Sequence, residues 1–85
     1  MRKVLVIGAG GIGSFLIPLL DKIGMYAITV ADPDIVEEKN IPYQNFTKEE
    51  VDVHKVLAIQ KRYDSVLDAS KYPILTENQM RGYDL

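Results

Sequence analysis

An incomplete Rossmann-like fold, a three-layer α/β arrangement on a parallel sheet with about three to four strands in this chain, is predicted by three features. A short apolar run, Val4-Leu5-Val6-Ile7, passes directly into glycines that continue to Gly13. An apolar segment then leads to Gly24. A second apolar run, Ala27 to Ala31, ends at Asp32. Strand, helix and strand within about 30 residues is the length of one βαβ unit.

Each element has its own local reason. Val4 to Ile7 is apolar throughout, with β-branched residues among its four, and is bounded by Gly8, which suits a strand buried on both faces of a parallel sheet. The helix runs from about Gly11 to Ile23, with Gly24 closing it. Ile12, Phe15, Leu16, Leu19 and Ile23 fall on one face and are expected to pack on the sheet. Ile17 and Leu20 extend the apolar surface around the back, so self-association through this helix is expected. Pro18 should bend the helix or remove a hydrogen bond. Pro33 to Phe46 shows no period and is predicted as a loop with one helical turn. Thr47-Lys48-Glu49-Glu50 fits a capping box opening a helix to about Tyr63, with Val53, Val56, Leu57 and Ile59 buried. Val66 to Ala69 and Tyr72 to Leu75 compete as the third strand. Thr76 is expected to cap a short turn through Met80, and Gly82 to Leu85 to begin a further strand. Tyr63, Tyr72 and Tyr83 read as half-buried packing residues.

At 85 residues the chain is read as the N-terminal portion of a single nucleotide-binding domain. Its lack of cysteine excludes a disulfide framework, a thiolate zinc site and a thiol nucleophile within these residues. A net charge of −2 without a basic stripe argues against nucleic acid. The first apolar run is too short for a signal core or a membrane span, so a soluble, cytoplasmic protein is expected. Acidic residues crowd the stretch from Asp32 to Asp52, against only Lys39 and Lys48. That pattern fits a solvated face, or a site needing carboxylates for a ribose and a nearby cation.

Gly8-Ala9-Gly10-Gly11-Ile12-Gly13 matches G-x-G-x-x-G in the required place, after a strand and opening a helix. Gly8 would make the tight turn, Gly10 would let backbone approach a phosphate, and Gly13 would let helix and strand pack closely. Free N–H groups at the helix start favour an anion. A plain strand-to-helix turn requiring positive φ would produce a similar string. Asp32 follows about 20 residues beyond Gly13, where a carboxylate can accept the hydroxyls of an adenosine ribose. A 2′-phosphate would be repelled there. These residues alone do not separate NAD, FAD, S-adenosylmethionine and ATP.

The segment after Asp32 narrows the choice. Gly8 to Ser14, then Asp32, Asp34, Val36, Asn40, Gln44 and Lys55 in that order, resemble the ThiF/MoeB superfamily, which includes the ubiquitin-activating enzymes. Its members typically show G-x-G-G-x-G-S, D-x-D-x-V, an N-x-x-R-Q segment and a downstream lysine. The resemblance covers about Arg2 to Lys55. It implies ATP and magnesium as cofactors, and adenylylation of a carboxylate at the C-terminus of a ubiquitin-like or sulfur-carrier protein. By position, Gly8, Gly10, Gly11, Gly13, Asp32 and Asp34 would form the nucleotide site. Asn40, Gln44 and Lys55 would line the phosphates as catalytic residues. Outside the resemblance, Lys55 is a helix-surface lysine and Asn40 and Gln44 are loop amides.

The chain departs from the pattern at Tyr43, which stands in place of the family arginine and supplies no fixed charge. The glycine preceding the family lysine corresponds roughly to Asp52. The family's magnesium-binding aspartate follows a fourth strand, beyond Leu85, so this chain by itself is not expected to be a complete enzyme. His54 reads as a helix-surface residue, and Ser14 as either a phosphate contact or a packing residue. The alternative reading, an NAD-binding domain of a dehydrogenase or a regulatory module, needs only the glycines and Asp32.

Overall fold

The computed structural model describes residues 1–85. Strand β1 (Arg2–Ile7) leads into helix α1 (Gly11–Ile23), strand β2 (Tyr26–Ala31), helix α2 (Lys55–Arg62) and strand β3 (Val66–Ser70). Short 3-10 turns lie at Glu38–Asn40, Lys48–Glu50 and Glu77–Met80. The sheet is parallel in the order β1-β2-β3, as successive βα crossovers require. Val4 and Val6 stand beside Ile28 and Val30 in register, and the β2–β3 pairing shifts between Ile28 and Thr29.

One core holds the sheet and both helices together. Val4, Val6, Ile28 and Val30 from one sheet face meet Ile17 of α1 and Val56, Ala58 and Ile59 of α2, with Val36 and Phe46 from the long connection. The opposite face carries no helix within this chain. Of the three expected layers this chain therefore contains two, the sheet and one helical layer. Leu5 N–H donates to Leu85 O at 3.1 Å and Leu85 N–H to Lys3 O at 3.3 Å, the alternation of a parallel neighbour on the free edge of β1. Gly82 to Leu85, expected to begin a further strand, forms no strand of its own, but Leu85 reaches this edge.

Helix α1 has the predicted limits but the opposite rotation. Gly13, Ser14 and Ile17 are its buried residues, and Leu20 packs against the core. Ile12, Phe15, Leu16, Leu19 and Ile23 are exposed, Ile12 at 85%. Ile17, expected to lack cover, is fully buried. The close approach of α1 to β1 at Gly13 decides this, because the residue four further on then faces the same way. Pro18 lies inside a helix that continues to Ile23.

The helix predicted from Thr47 to Tyr63 is broken in two. Thr47 N–H does donate to Glu50 Oε1 at 2.9 Å, as the capping box requires. Asp52 then adopts φ +72°, which no right-handed helix accommodates. Around it Val36 N–H donates to Val53 O, and Asp52 N–H donates to Val36 O. Tertiary pairing with the segment after β2 replaces helical continuation, and α2 starts only at Lys55. Val53 and Leu57 are partly exposed rather than core, while Val56 and Ile59 are buried as predicted. Val66–Ser70 is the third strand; Tyr72 and Leu75 are exposed. Tyr63 packs against the core and Tyr83 is half-buried. Thr76 caps its turn through Gln79, whose Oε1 accepts the Thr76 N–H at 3.0 Å.

Candidate functional site

At the carboxyl end of β1 the chain turns sharply because Gly8 sits at φ +97°, a region closed to most L side chains. The return brings α1 against the strand so tightly that a Cβ on Gly13 would lie 1.9 Å from Gly8 O. Gly8 N–H donates to Ala31 O at 2.8 Å, tying the turn to β2. Gly10 precedes the first helical residue and no side chain caps the helix. The N–H groups of the first helical turn therefore lack intrahelical acceptors, which makes this end an anion site in principle. A Cβ on Gly11 would meet nothing within 4 Å. Its glycine is not required by the fold.

Asp32 closes β2 and is buried, at 7% exposure. Its Oδ2 accepts Ala9 N–H and its Oδ1 accepts Asp34 N–H, both at 2.7 Å. A carboxylate offers about four lone-pair sites, so two remain. Asp32 is accordingly part of the fold as well as a ribose candidate, since it fixes the glycine turn to the end of β2.

The links continue from Asp34. Its carbonyl accepts Lys55 N–H at 3.0 Å, and its carboxylate lies 3.9 Å from Lys55 Nζ. The Lys55 side chain is 7% exposed, against 66% for Asp34. Lys55 is thus a buried cation at the start of α2, not a helix-surface lysine. A buried ammonium needs close compensation, and a 3.9 Å contact to an exposed carboxylate supplies little.

Gln44 approaches from the long connection. Its Nε2 lies 3.3 Å from the point where a Cβ on Gly10 would stand, and its buried Oε1 has no hydrogen-bond partner. Asn40 lies one turn earlier, with its carbonyl accepting Gln44 N–H at 2.8 Å. The Asn40 side-chain Oδ1 accepts Glu37 N–H at 2.8 Å, which leaves its Nδ2 donors uncommitted. Tyr43 is 80% exposed. The structure thus links Gly8, Gly10, Gly13, Asp32, Asp34, Lys55 and Gln44 in one neighbourhood, with Asn40 adjoining through backbone.

Two sequence alternatives are resolved. The Ser14 hydroxyl is buried and accepts Asn45 N–H at 3.0 Å, so Ser14 packs the loop rather than facing a phosphate. His54 is a half-buried N-cap of α2 whose Nδ1 has no partner, not a surface residue. In the acidic stretch Asp34, Glu37, Glu38, Glu49 and Asp52 are exposed, as a solvated face requires, whereas Asp32 is buried and Glu50 half-buried. Glu37 pairs with Lys39, Asp34 lies beside Lys55, and Glu50 binds Arg62. Burial pushes the Glu50 carboxyl up, but the Arg62 hydrogen bonds and the Thr47 N–H outweigh it and hold the group below its ordinary range.

Sequence reasoning missed Asn45, Glu50 and Arg62 as supports of this site. Their contacts span up to 31 residues and leave no local period to read. No cluster of three or more metal-ligating side chains is present. No helix is long and apolar enough to cross a membrane.

A sequence model of the ThiF family matches residues 1–76. An adenylyltransferase and sulfurtransferase of Sclerotinia sclerotiorum, uba4, is 38% identical over 72 residues, covering 84% of this chain and 16% of that protein. The ATP-dependent ubiquitin transferase-like protein Cap2 of Enterobacter hormaechei is 31% identical over 94 residues, covering 99% and 16%. Among solved structures, E. coli MccB with ATP superposes with a TM-score of 0.75 at 27% identity, covering 93% of this chain and 25% of MccB. The chain therefore spans about a sixth of the length of these curated relatives.

Proposed function

The chain belongs to the ThiF family, and from that premise we propose that it supplies the nucleotide-binding part of an enzyme that uses ATP to adenylylate a carboxylate. The observation that carries this reading is Lys55. A buried lysine with one loose carboxylate contact, joined by Asp34 and Asp32 to a glycine turn, fits a site whose missing counter-charge is an anion. A dehydrogenase-type NAD site needs no such lysine.

The residues present fit a nucleotide. Gly10, Gly11 and the open first turn of α1 offer N–H donors to phosphate oxygens. The remaining lone pairs of Asp32 accept ribose hydroxyls. Gln44 and Asn40 bring neutral amides to the phosphates, and Lys55 brings the fixed charge. In adenylylation a carboxylate oxygen bonds to the α-phosphorus as the bond to the β-phosphate oxygen breaks and pyrophosphate departs. Negative charge grows on the phosphoryl oxygens, and Lys55 with the amide donors stabilises it. Tyr43 contributes no charge, so Lys55 carries more of this task than in relatives with the arginine. Magnesium, which neutralises a triphosphate, is expected to take its protein ligand from outside these residues.

The substrate we favour is the C-terminal carboxylate of a ubiquitin-like or sulfur-carrier protein. The naming of the relatives as a sulfurtransferase and a ubiquitin transferase-like protein supports it. The test is ATP–pyrophosphate exchange in the full-length protein with such a carrier. Lys55→Ala is expected to lower the rate by about 10²–10³, the scale of losing one preorganised charge-stabilising group. Exchange at the wild-type rate in that variant would remove Lys55 from the chemistry.

A further inference from the structure

Gln44 reaches the glycine turn from a long connection that has no regular structure of its own beyond single turns. Something must hold it there. The residue that does so is the next in the chain, Asn45, which lies outside the N-x-x-R-Q pattern. Asn45 N–H donates to Ser14 Oγ at 3.0 Å, and Asn45 Nδ2 donates to Ser14 O at 3.0 Å. Ser14 is the fourth residue of α1, fully buried, and its hydroxyl is 3.5 Å from Gly11 O, to which it donates. On its other side Asn45 O accepts Arg62 Nη2 at 2.8 Å. Arg62 is fixed by Nε to Glu50 Oε2 at 2.9 Å, by a second bond from Nη2 to Glu50 Oε1, and by the Phe46 ring 5.6 Å from its guanidinium carbon. Every polar group of Asn45 except its side-chain oxygen is thereby committed.

We infer that Asn45 is a positioning residue for nucleotide binding: clamped between Ser14 and Arg62, it sets the Gln44 amide against Gly10. The inference rests on the nucleotide reading above. Three observations make the clamp specific to Gln44. The two hydrogen bonds from Asn45 to Ser14 grip the first turn of α1, the same turn that presents its N–H groups. Gln44 is adjacent in sequence, so any slip of Asn45 moves it directly. The buried Oε1 of Gln44 has no hydrogen-bond partner, so no hydrogen bond to that oxygen fixes the amide. Asn45 touches no reacting atom; it acts through Gln44.

The experiment compares Asn45→Ala, Gln44→Ala and the double variant in the full-length protein. ATP affinity is measured by calorimetry with magnesium present, and the Gln44 side-chain amide resonances are recorded by NMR. Asn45→Ala is expected to move those resonances and weaken ATP by about tenfold, the scale of a lost hydrogen bond to a charged group. In the Gln44→Ala background the same change should cost less than about twofold, because the two act as one unit. Independent, additive losses, or unmoved Gln44 resonances, would overturn the proposal. If Asn45→Ala does not fold, Asn45→Ser, which keeps the backbone bonds and loses the Nδ2 donor, carries the same comparison. A wild-type protein that binds no ATP would sink the nucleotide reading instead; moved or unmoved Gln44 resonances would then decide the positioning alone.

Discussion

Two glycines of the turn separate what the fold needs from what a ligand needs. Gly13→Ala places a Cβ on the Gly8 carbonyl oxygen and should destabilise the chain by about 3 kcal/mol, measured by denaturant unfolding. Gly11→Ala meets open space at the first residue of α1, so it should be neutral or stabilise by up to about 0.5 kcal/mol, less than in a helix interior. The same change should nonetheless weaken ATP, because backbone there approaches phosphate in the proposed site. Unchanged ATP affinity in Gly11→Ala would remove that residue from the site. The glycine turn and Asp32 were legible from sequence because their reasons are local: a strand end, a positive φ, a helix start. The burial of Lys55 was not legible. It depends on the pairing of Val36 with Val53 across the connection, which fixes where α2 begins. The face of α1 was misread for a related reason. Apolar residues occur on nearly all its sides, so period alone could not choose. The signal available was Gly13 itself: a glycine kept for close packing marks the buried stripe, and Ile17 lies one turn along it.

Among the elements, the broken helix between Thr47 and Tyr63 shows why a sound N-cap does not guarantee length. The capping box formed as written, but Asp52 takes a left-handed conformation in which a non-glycine residue costs roughly 1–2 kcal/mol. This is the position corresponding to the family glycine. Asp52→Gly should therefore stabilise the fold by about 0.5–1 kcal/mol, and Asp52→Val should destabilise it by more, both read as shifts in thermal midpoint. The Glu50–Arg62 pair ties the same segment to α2. Because the folded Glu50 carboxyl titrates below its ordinary value of 4.5, its contribution is fully present above that pH and is lost as pH falls through the lower, folded value. Glu50→Gln should lower stability at neutral pH and flatten the loss between pH 4.5 and stronger acid. An unaltered acid limb would show that the pair does not contribute to stability.

At the scale of the molecule, the sheet and its two helices close one face around a single core, and two features besides the uncovered opposite face stay open. One is the sheet edge at β1, where Leu85 has begun a parallel pairing. The other is the outer side of α1, where Ile12, Phe15, Leu19 and Ile23 stand exposed. We propose that this apolar side, rather than Ile17, drives self-association. Sedimentation should show association that Phe15→Lys weakens, and a wild-type monomer at high concentration would contradict it. The chain's place in the ThiF family was legible from the order Asp32, Asp34, Asn40, Gln44 and Lys55, whereas the way Ser14, Asn45 and Arg62 hold that order in space was not.

The glycine turn with Lys55 beside it is proposed to take ATP rather than a dinucleotide. Thermal unfolding of the protein with magnesium and ATP, and separately with NAD, tests it most directly. A ligand at 100 times its dissociation constant adds about 2.7 kcal/mol, a rise of several degrees for a domain of this size. That rise is expected with ATP and not with NAD, and it should be lost in Lys55→Ala. A rise with NAD alone would contradict it and assign the glycine turn to a dinucleotide.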